Sequence, residues 1–527
     1  MAPLTDKEDA ISSSSSSNPR PSPAAPFRIA IIGGGIGGIV TALFLHHFCS
    51  QKAEIEIDIY EQAPQYREIG AGIGLGVNAT KLLVQIPGLV EAINTISGTR
   101  NGVWFTLRRW DDGDEIVTMG ADESGKVRFA AVSRAELLDV LTKFLVSKDD
   151  GQREKARVHN GKKLRLVEDI STNGGIKMTF SDETTASADL LIASDGIHSA
   201  VRKQFVSDTA LYGGKIIYRG LVPISSLAGE WPLPSYAAMW IGQGKHFLTY
   251  AIAANKMLNV VACTTKSIDE IPDLKESWSS TCDRRELEQD FGDCGDELVQ
   301  KVVGLMDARV AKWRLNDRDP VEDWVFMDGK VVLLGDAAHP MVPHQSAGAG
   351  QAVEDGYILA KTLGEYLSER SENRSGRLKE WMELYQRVRL PRAQRTQETS
   401  REAGELFEMK APGMEGKTYN ERLPILVERV KDRMKWIWSE DIDAAYGKVK
   451  GEMGLVTCLE GEKNEESRVN TADTAEASNE FTSLNQGKQE GVSAEEVKVE
   501  EERKGLKEHG SKGSGWLSRL RKVCFCL

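Results

Sequence analysis

The segment FRIAIIGGGIGGIVTALFL, Phe27 to Leu45, constrains this chain more than any other. Gly33, Gly35 and Gly38 stand as G-x-G-x-x-G directly after a β-branched apolar run and directly before an apolar stretch of helical character. From Ile29 to Leu45 the segment is uncharged and nearly long enough to cross a membrane, but its five glycines predict a turn instead. The pattern is that of a buried parallel strand feeding a helix. Its glycines allow a tight turn and the close approach of a pyrophosphate, whose charge would sit among the unpaired N–H groups at the helix start.

The next strand-like run, EIEIDIYE, ends in Glu61, 23 residues beyond Gly38. That is the spacing of a carboxylate that accepts hydrogen bonds from ribose hydroxyls, and an acid there disfavours a 2′-phosphate. The bound group is therefore an ADP moiety of NAD or FAD, and this motif alone does not choose between them.

Charge and composition narrow the remaining classes. Lys and Arg total 67 against 79 Asp and Glu, a net charge of −12, which argues against nucleic acid as a partner. Seven cysteines without CxxC spacing argue against a disulfide framework and a structural zinc site, and no metal-ligand set is read. A reducing, cytoplasmic setting fits this usage.

Residues 1–26, with a Ser run and no apolar core, read as a disordered leader. Strand and helix signals then alternate over 27–210, a βαβ-rich first part of a dinucleotide-binding domain. Over 211–320, segments such as KIIYRGLVPI and HFLTYAIA between Gly, Pro and Ser breaks predict an antiparallel sheet, a second domain inserted in the first. Residues 321–456 return to the first domain and end in helices. Between 460 and 508 there are 14 acids and 7 bases with few large apolar residues, so 457–515 reads as a disordered acidic tail. The stretch 516–527, WLSRLRKVCFCL, is basic and apolar.

Two more strand ends carry carboxylates beside small residues: Asp195-Gly196 after LLIAS, and Gly335-Asp336-Ala337-Ala338-His339-Pro340 after VVLL. Such ends let a polyhydroxylated chain lie against backbone. The three motifs, in this order and spacing, resemble the FAD-dependent aromatic hydroxylases, the class A flavoprotein monooxygenases, over about Phe27 to Tyr446. REIGAGIGLGVNA, SRAELLDVL, ASDGIHSAVR, GDAAHPMVPHQSAGAGQAVEDG and MKWIW are similar to blocks of the salicylate hydroxylase-like branch. Ser346 stands where that branch usually has glycine.

The resemblance implies an α/β fold, a Rossmann-like FAD-binding domain of the para-hydroxybenzoate hydroxylase type with an inserted antiparallel substrate sheet and C-terminal helices. It implies that Gly33, Gly35, Gly38, Glu61, Gly72, Arg134, Asp195, Gly196, Asp336, Gly348, Ala349 and Gly350 bind FAD. Ser133-x-x-Glu136 reads as a capping box that fixes Arg134 in a first helical turn. The implied substrate contacts are Arg219, Tyr250 and His344, while His339 supports its loop.

The implied reaction hydroxylates a small phenol or aromatic carboxylate, salicylate-like and with or without decarboxylation, using NADH or NADPH and O2 through a flavin C4a-hydroperoxide. A dearomatising hydroxylase of phenolic polyketides uses the same motif set and remains open. An NAD-dependent dehydrogenase would leave the DG and GDAAHP blocks idle, and a flavin-bound scaffold with a targeting tail would leave the substrate residues idle. Cys524-Phe525-Cys526-Leu527 has the C-a-a-X pattern of prenylation behind Arg519, Arg521 and Lys522, an expectation of peripheral membrane attachment.

Overall fold

The computed structural model describes residues 25–455, less short stretches at 66–71, 100, 121–124, 126, 148–153, 171–174, 228, 273, 275–279, 370–373 and 375. Most of the leader, Arg67 to Ala71, the acidic tail and the terminus with Cys524 therefore lie outside the described residues. Among the described residues no helix is long and apolar enough to cross a membrane.

Six strands form the first sheet, in the order Val325–Phe326, Val331–Leu333, Leu190–Ala193, Phe27–Ile32, Ile55–Glu61 and Arg157–Asn160. All neighbours run parallel except the first pair. Leu190 to Ala193 and Val331 to Leu333 are buried throughout, the uniform apolarity of strands covered on both faces. Helix Ile36–Cys49, which leaves the glycine turn, packs along helix Gly348–Ser368. Glycine permits this contact: a Cβ on Gly356 would stand 2.5 Å from Thr41 Oγ1, and one on Gly364 3.0 Å from the Phe48 carbonyl oxygen.

The second sheet has eight strands, Thr281–Asp283, Arg309–Asp317, Leu211–Pro223, Met257–Thr265, Lys245–Ile252, Ala238–Gly242, Val103–Arg109 and Glu115–Gly120. The sequence predicts this sheet over 211–320, whereas its last two strands come from earlier in the chain. The pairing of Ala238–Gly242 with Val103–Arg109 joins segments more than 130 residues apart, which local pattern cannot report. Alternation gives the sheet two faces. Ile216, Tyr218, Trp240, Phe247, Val260 and Ala262 pack beneath helices Arg284–Phe291 and Glu297–Leu305. Ile217, Arg219, Leu248, Tyr250, Val261 and Cys263 turn the other way, toward a cavity.

Behind that cavity lies a buried ionic cluster. Arg389, fully buried on the long helix Leu378–Phe407, donates to Asp355 Oδ1 at 2.8 Å and to Glu354 Oε2 at 2.6 Å. Asp355 Oδ2 is 2.6 Å from His339 Nε2 and accepts from the Gly335 N–H at 3.0 Å. Glu354 also accepts from Arg392 at 2.6 Å and from Asn78 Nδ2 at 2.6 Å. Burial alone would raise the Asp355 carboxyl, but the charges of His339 and Arg389 outweigh it and hold it at about 2. The cluster clamps the Gly335-to-Pro340 loop to two helices, so His339 supports the loop as expected.

Breaking such a cluster at one partner leaves an uncompensated buried charge. Arg389→Met is expected to lower unfolding free energy by about 3–5 kcal/mol, read by denaturant titration of the purified protein. An unchanged midpoint would show that the clamp contributes nothing to stability.

Candidate active site

The cavity, about 570 Å³, runs from the glycine turn to the inner face of the eight-stranded sheet. The three motif glycines divide their work. Gly33 has φ +106, and a Cβ there would stand 2.3 Å from the Ser194 carbonyl oxygen; a Cβ on Gly38 would stand 2.1 Å from that of Gly33. Both are packing requirements. Gly35 alone faces open space, on the cavity wall with Ile36 and Gly37. It caps helix Ile36–Cys49 without a side-chain hydrogen bond, and no acid occupies the first turn. Uncapped N–H groups and the helix dipole thus point at the cavity, an environment for an anion.

Glu61 ends its strand beside this turn. Its Oε2 accepts from the Gly34 N–H at 2.8 Å and its Oε1 from the Ala63 N–H at 2.7 Å. The carboxylate is thus used first to hold the turn, with lone pairs left over for a ribose. Gln62, which the sequence analysis passed over, lines the cavity next to it.

The other two strand ends open on the same space. Asp195 Oδ2 accepts from Ala200 N–H at 2.7 Å, while its Oδ1 is buried without a partner among the described residues. Burial raises its carboxyl, only partly offset by these hydrogen bonds. Gly196 follows at φ +79, with open space where a Cβ would be. Asp336 sits on the cavity wall, its carboxyl likewise raised by burial and drawn back by the charges of His339 and Arg134.

Arg134 lines the cavity at the first position of helix Arg134–Val146. The expected capping box is not formed: Ser133 makes no side-chain cap, and Glu136 Oε2 is buried without a partner among the described residues. Ser133 ends strand Ala130–Ser133, paired with Gly72, so sheet geometry sets its backbone.

Helix Gly348–Ser368 begins at the cavity with no side-chain cap and no acid in its first turn. Gly348 and Ala349 line the wall, but Gly350 packs on Asn78, whose Nδ2 would lie 3.1 Å from a Cβ. Ser346, in place of the usual glycine, adopts the left-handed conformation at φ +51. The turn keeps the geometry glycine would supply, at a conformational cost.

Gly72 is the junction between the two halves. It donates to Asn259 Oδ1 at 2.8 Å and accepts from Arg219 Nη2 at 2.7 Å, and a Cβ there would meet the Tyr250 hydroxyl at 2.8 Å. Arg219 and Tyr250 therefore converge on one backbone unit, and Arg219 Nε is buried without a partner among the described residues. His344 joins them on the wall from the short turn Pro343–Gln345. Burial lowers its pKa far below the ordinary range, and the charges of His246 and Lys215 lower it further, so its ring is neutral.

Asn259, His246 and Cys263 also face this side of the sheet and belong to no sequence motif. The period-two spacing of His246, Leu248 and Tyr250 is the one signal that places His246 on the inner face.

An uncapped helix start for a pyrophosphate, buried unpaired carboxylate oxygen at one strand end and small residues at the second helix start fit FAD. Comparison with known proteins agrees. Residues 139–400 match the family described as "FAD binding domain". The chain is 32% identical to salicylate hydroxylase of Pseudomonas putida, over 81% of this chain and 95% of that one. It is 34% identical to a 6-methylsalicylate 1-monooxygenase of Aspergillus terreus, over 79% and 90%. A solved structure of a salicylate hydroxylase substrate complex superposes with a TM-score of 0.66 at 29% identity, covering 80% of this chain and 98% of that one. With the fold, the cavity and similarity over 81% of the chain in agreement, the chain belongs to the FAD-dependent aromatic monooxygenases, in the branch of the salicylate hydroxylases.

Proposed function

We propose that this enzyme hydroxylates salicylate or a closely related hydroxybenzoate, taking electrons from NADH or NADPH and one oxygen atom from O2. The observation that carries this reading is the convergence of Arg219 and Tyr250 at Gly72, on the cavity wall that also presents His344. A cation, a hydroxyl and a neutral imidazole are the groups that recognise a carboxylate beside a phenol. For salicylate the balance is salicylate + O2 + NAD(P)H + 2 H+ → catechol + CO2 + NAD(P)+ + H2O.

In this reading bound FAD supplies hydride acceptance from the nicotinamide and activation of oxygen. Gly35 and the start of its helix hold the pyrophosphate; Glu61 and Arg134 hold the adenosine side. Asp195-Gly196 and Asp336 accept hydroxyl groups of the cofactor. Gly72 lines the cavity and, lacking a side chain, leaves room for Tyr250 and Asn259. The start of helix Gly348–Ser368, with Gly348 and Ala349 at the wall and Gly350 seated on Asn78, offers N–H groups to negative charge gathering on the flavin. Arg219 pairs with the substrate's anionic oxygen, Tyr250 hydrogen-bonds it, and neutral His344 accepts a hydrogen bond from the phenol hydroxyl. Ile217, Leu248 and Val261 keep water out, so that these polar contacts act at low dielectric. The basic, apolar stretch 516–527 supports peripheral membrane association of this enzyme.

FAD-loaded enzyme incubated with salicylate in air is expected to yield one catechol and one CO2 per NAD(P)H consumed, measured by mass spectrometry and gas analysis. Cofactor oxidation without catechol would overturn salicylate, and a dearomatised alcohol from a larger phenol would identify the dearomatising chemistry instead.

Asp336→Ala is expected to lose flavin on gel filtration, because a hydrogen bond to the cofactor disappears; full occupancy with normal turnover contradicts that role. Arg219→Ala is expected to raise KM or to release peroxide in place of product, with a loss in kcat/KM of about tenfold or more, equivalent to about 1.4 kcal/mol. Unchanged KM and coupling would remove Arg219 from the substrate site.

A further inference from the structure

At the sheet end of the cavity, His246, Cys263 and His344 each bring one metal-ligating atom within 4.8 Å of the other two. His246 and Cys263 face each other directly across two antiparallel strands. His344 arrives from the turn before helix Gly348–Ser368, with its ring centroid 5.4 Å from that of His246. Three separate backbone elements thus place two imidazoles and a thiol around one point.

We propose that these three side chains form a binding site for a zinc-class d10 metal ion, and that its occupancy blocks the substrate end of the cavity. The blocking half rests on the reading of His344 as a substrate contact; the binding half does not.

The chemistry of the donor set selects the ion. Imidazole with thiolate is a borderline-soft set that favours zinc or copper(I) over magnesium or calcium. Zn–N bonds of about 2.0–2.1 Å and Zn–S bonds of about 2.3 Å place tetrahedral ligand atoms closer together than 4.8 Å, so side-chain rotations of about 1 Å close the site. Three protein ligands leave a fourth position for water or a small molecule, the arrangement of sites where such a group binds the metal.

A second observation is independent of this spacing. His246 Nδ1 and His344 Nε2 are buried and make no hydrogen bond among the described residues. Orphaned buried nitrogen atoms are rare and call for a ligand or other explanation. Both rings are held neutral: burial, aided by the Lys215 charge, lowers His246 to about 3, and His344 is lowered in the same way. Neutral imidazole is the form that ligates.

The thiol has its own proton acceptor. Cys263 Sγ is 3.5 Å from Glu408 Oε1, and His246 Nδ1 is 3.9 Å from the same oxygen. As the metal–sulfur bond forms, the S–H proton passes to Glu408. That carboxylate is raised by burial and steadied by Lys215 Nζ at 3.6 Å and by a 2.6 Å hydrogen bond from Thr265. No redox change is involved, and the metal keeps its charge throughout.

The test uses the full-length, FAD-loaded enzyme with Cys458, Cys524 and Cys526 replaced by serine, so that no thiol beyond residue 455 competes. After treatment with chelator and its removal, zinc is titrated against a competing chelator under reducing conditions, and bound metal is counted after gel filtration. One zinc per chain is expected. Cys263→Ala and His246→Gln are each expected to weaken binding by about tenfold or more while leaving flavin absorbance unchanged.

No stoichiometric zinc at micromolar concentration, or binding by both variants as tight as by the parent enzyme, overturns the site and leaves Cys263 as a core thiol hydrogen-bonded to Glu408. Hydroxylation of salicylate is then followed with and without zinc. Inhibition that chelator reverses, and that Cys263→Ala escapes, supports the block. Zinc bound through Cys263 with hydroxylation unchanged keeps the metal site but overturns both the block and the placement of substrate against His344.

Discussion

The carboxylate of Asp355 is the constraint on which the rest of the active-site architecture depends. One of its oxygens takes the Arg389 guanidinium, and the other takes His339 and the Gly335 N–H. Helix Gly348–Ser368, helix Leu378–Phe407 and the GDAAHP loop are thereby tied at one fully buried point. Ion pairs at such depth gain little net stability over well-packed apolar residues, because desolvation offsets much of the attraction. What the cluster supplies is position: it sets Asp336 on the cavity wall and fixes the start of the helix whose N–H groups face the same space.

From that anchored edge the cavity is finished by a sheet with two unlike faces. Its outer face is closed by two amphipathic helices, and its inner face carries Arg219, Tyr250, His246 and Cys263 in register. Gly72 joins the halves, since it bonds Asn259 and Arg219 and lets the Tyr250 ring close over its α-carbon. Deep burial keeps the two histidines uncharged, so the cation on this wall that the substrate reading uses is Arg219. Membership of the salicylate hydroxylase branch follows from similarity along the chain, not from any one of these residues.

Some of the site was readable before the fold, and the readable part has a common character. Gly33, Gly35 and Gly38 announced a turn and an anion site because steric limits and helix-end N–H groups act over a few residues. The finer local inference failed: Ser133 and Glu136 have the spacing of a capping box, yet Ser133 makes no side-chain cap. Glu61 was found by spacing, yet its tie to the Gly34 and Ala63 N–H groups appears only in three dimensions. Ser346, which departs from the glycine of related chains, keeps the left-handed turn all the same.

The sequence by itself determined the strand–turn–helix at Gly33, the carboxylate-bearing strand ends at Asp195 and Asp336, and the likeness to a flavoprotein branch. These are properties of short segments, in which backbone freedom, apolar run length and residue size act between near neighbours. Only the tertiary structure decided that residues from Gly35 to Phe407 meet on one wall, that Val103–Arg109 and Glu115–Gly120 complete the eight-stranded sheet, and that His246, Cys263 and His344 share a point. The physical reason is that strand pairing and helix docking bring together groups hundreds of residues apart, and burial then sets their charge.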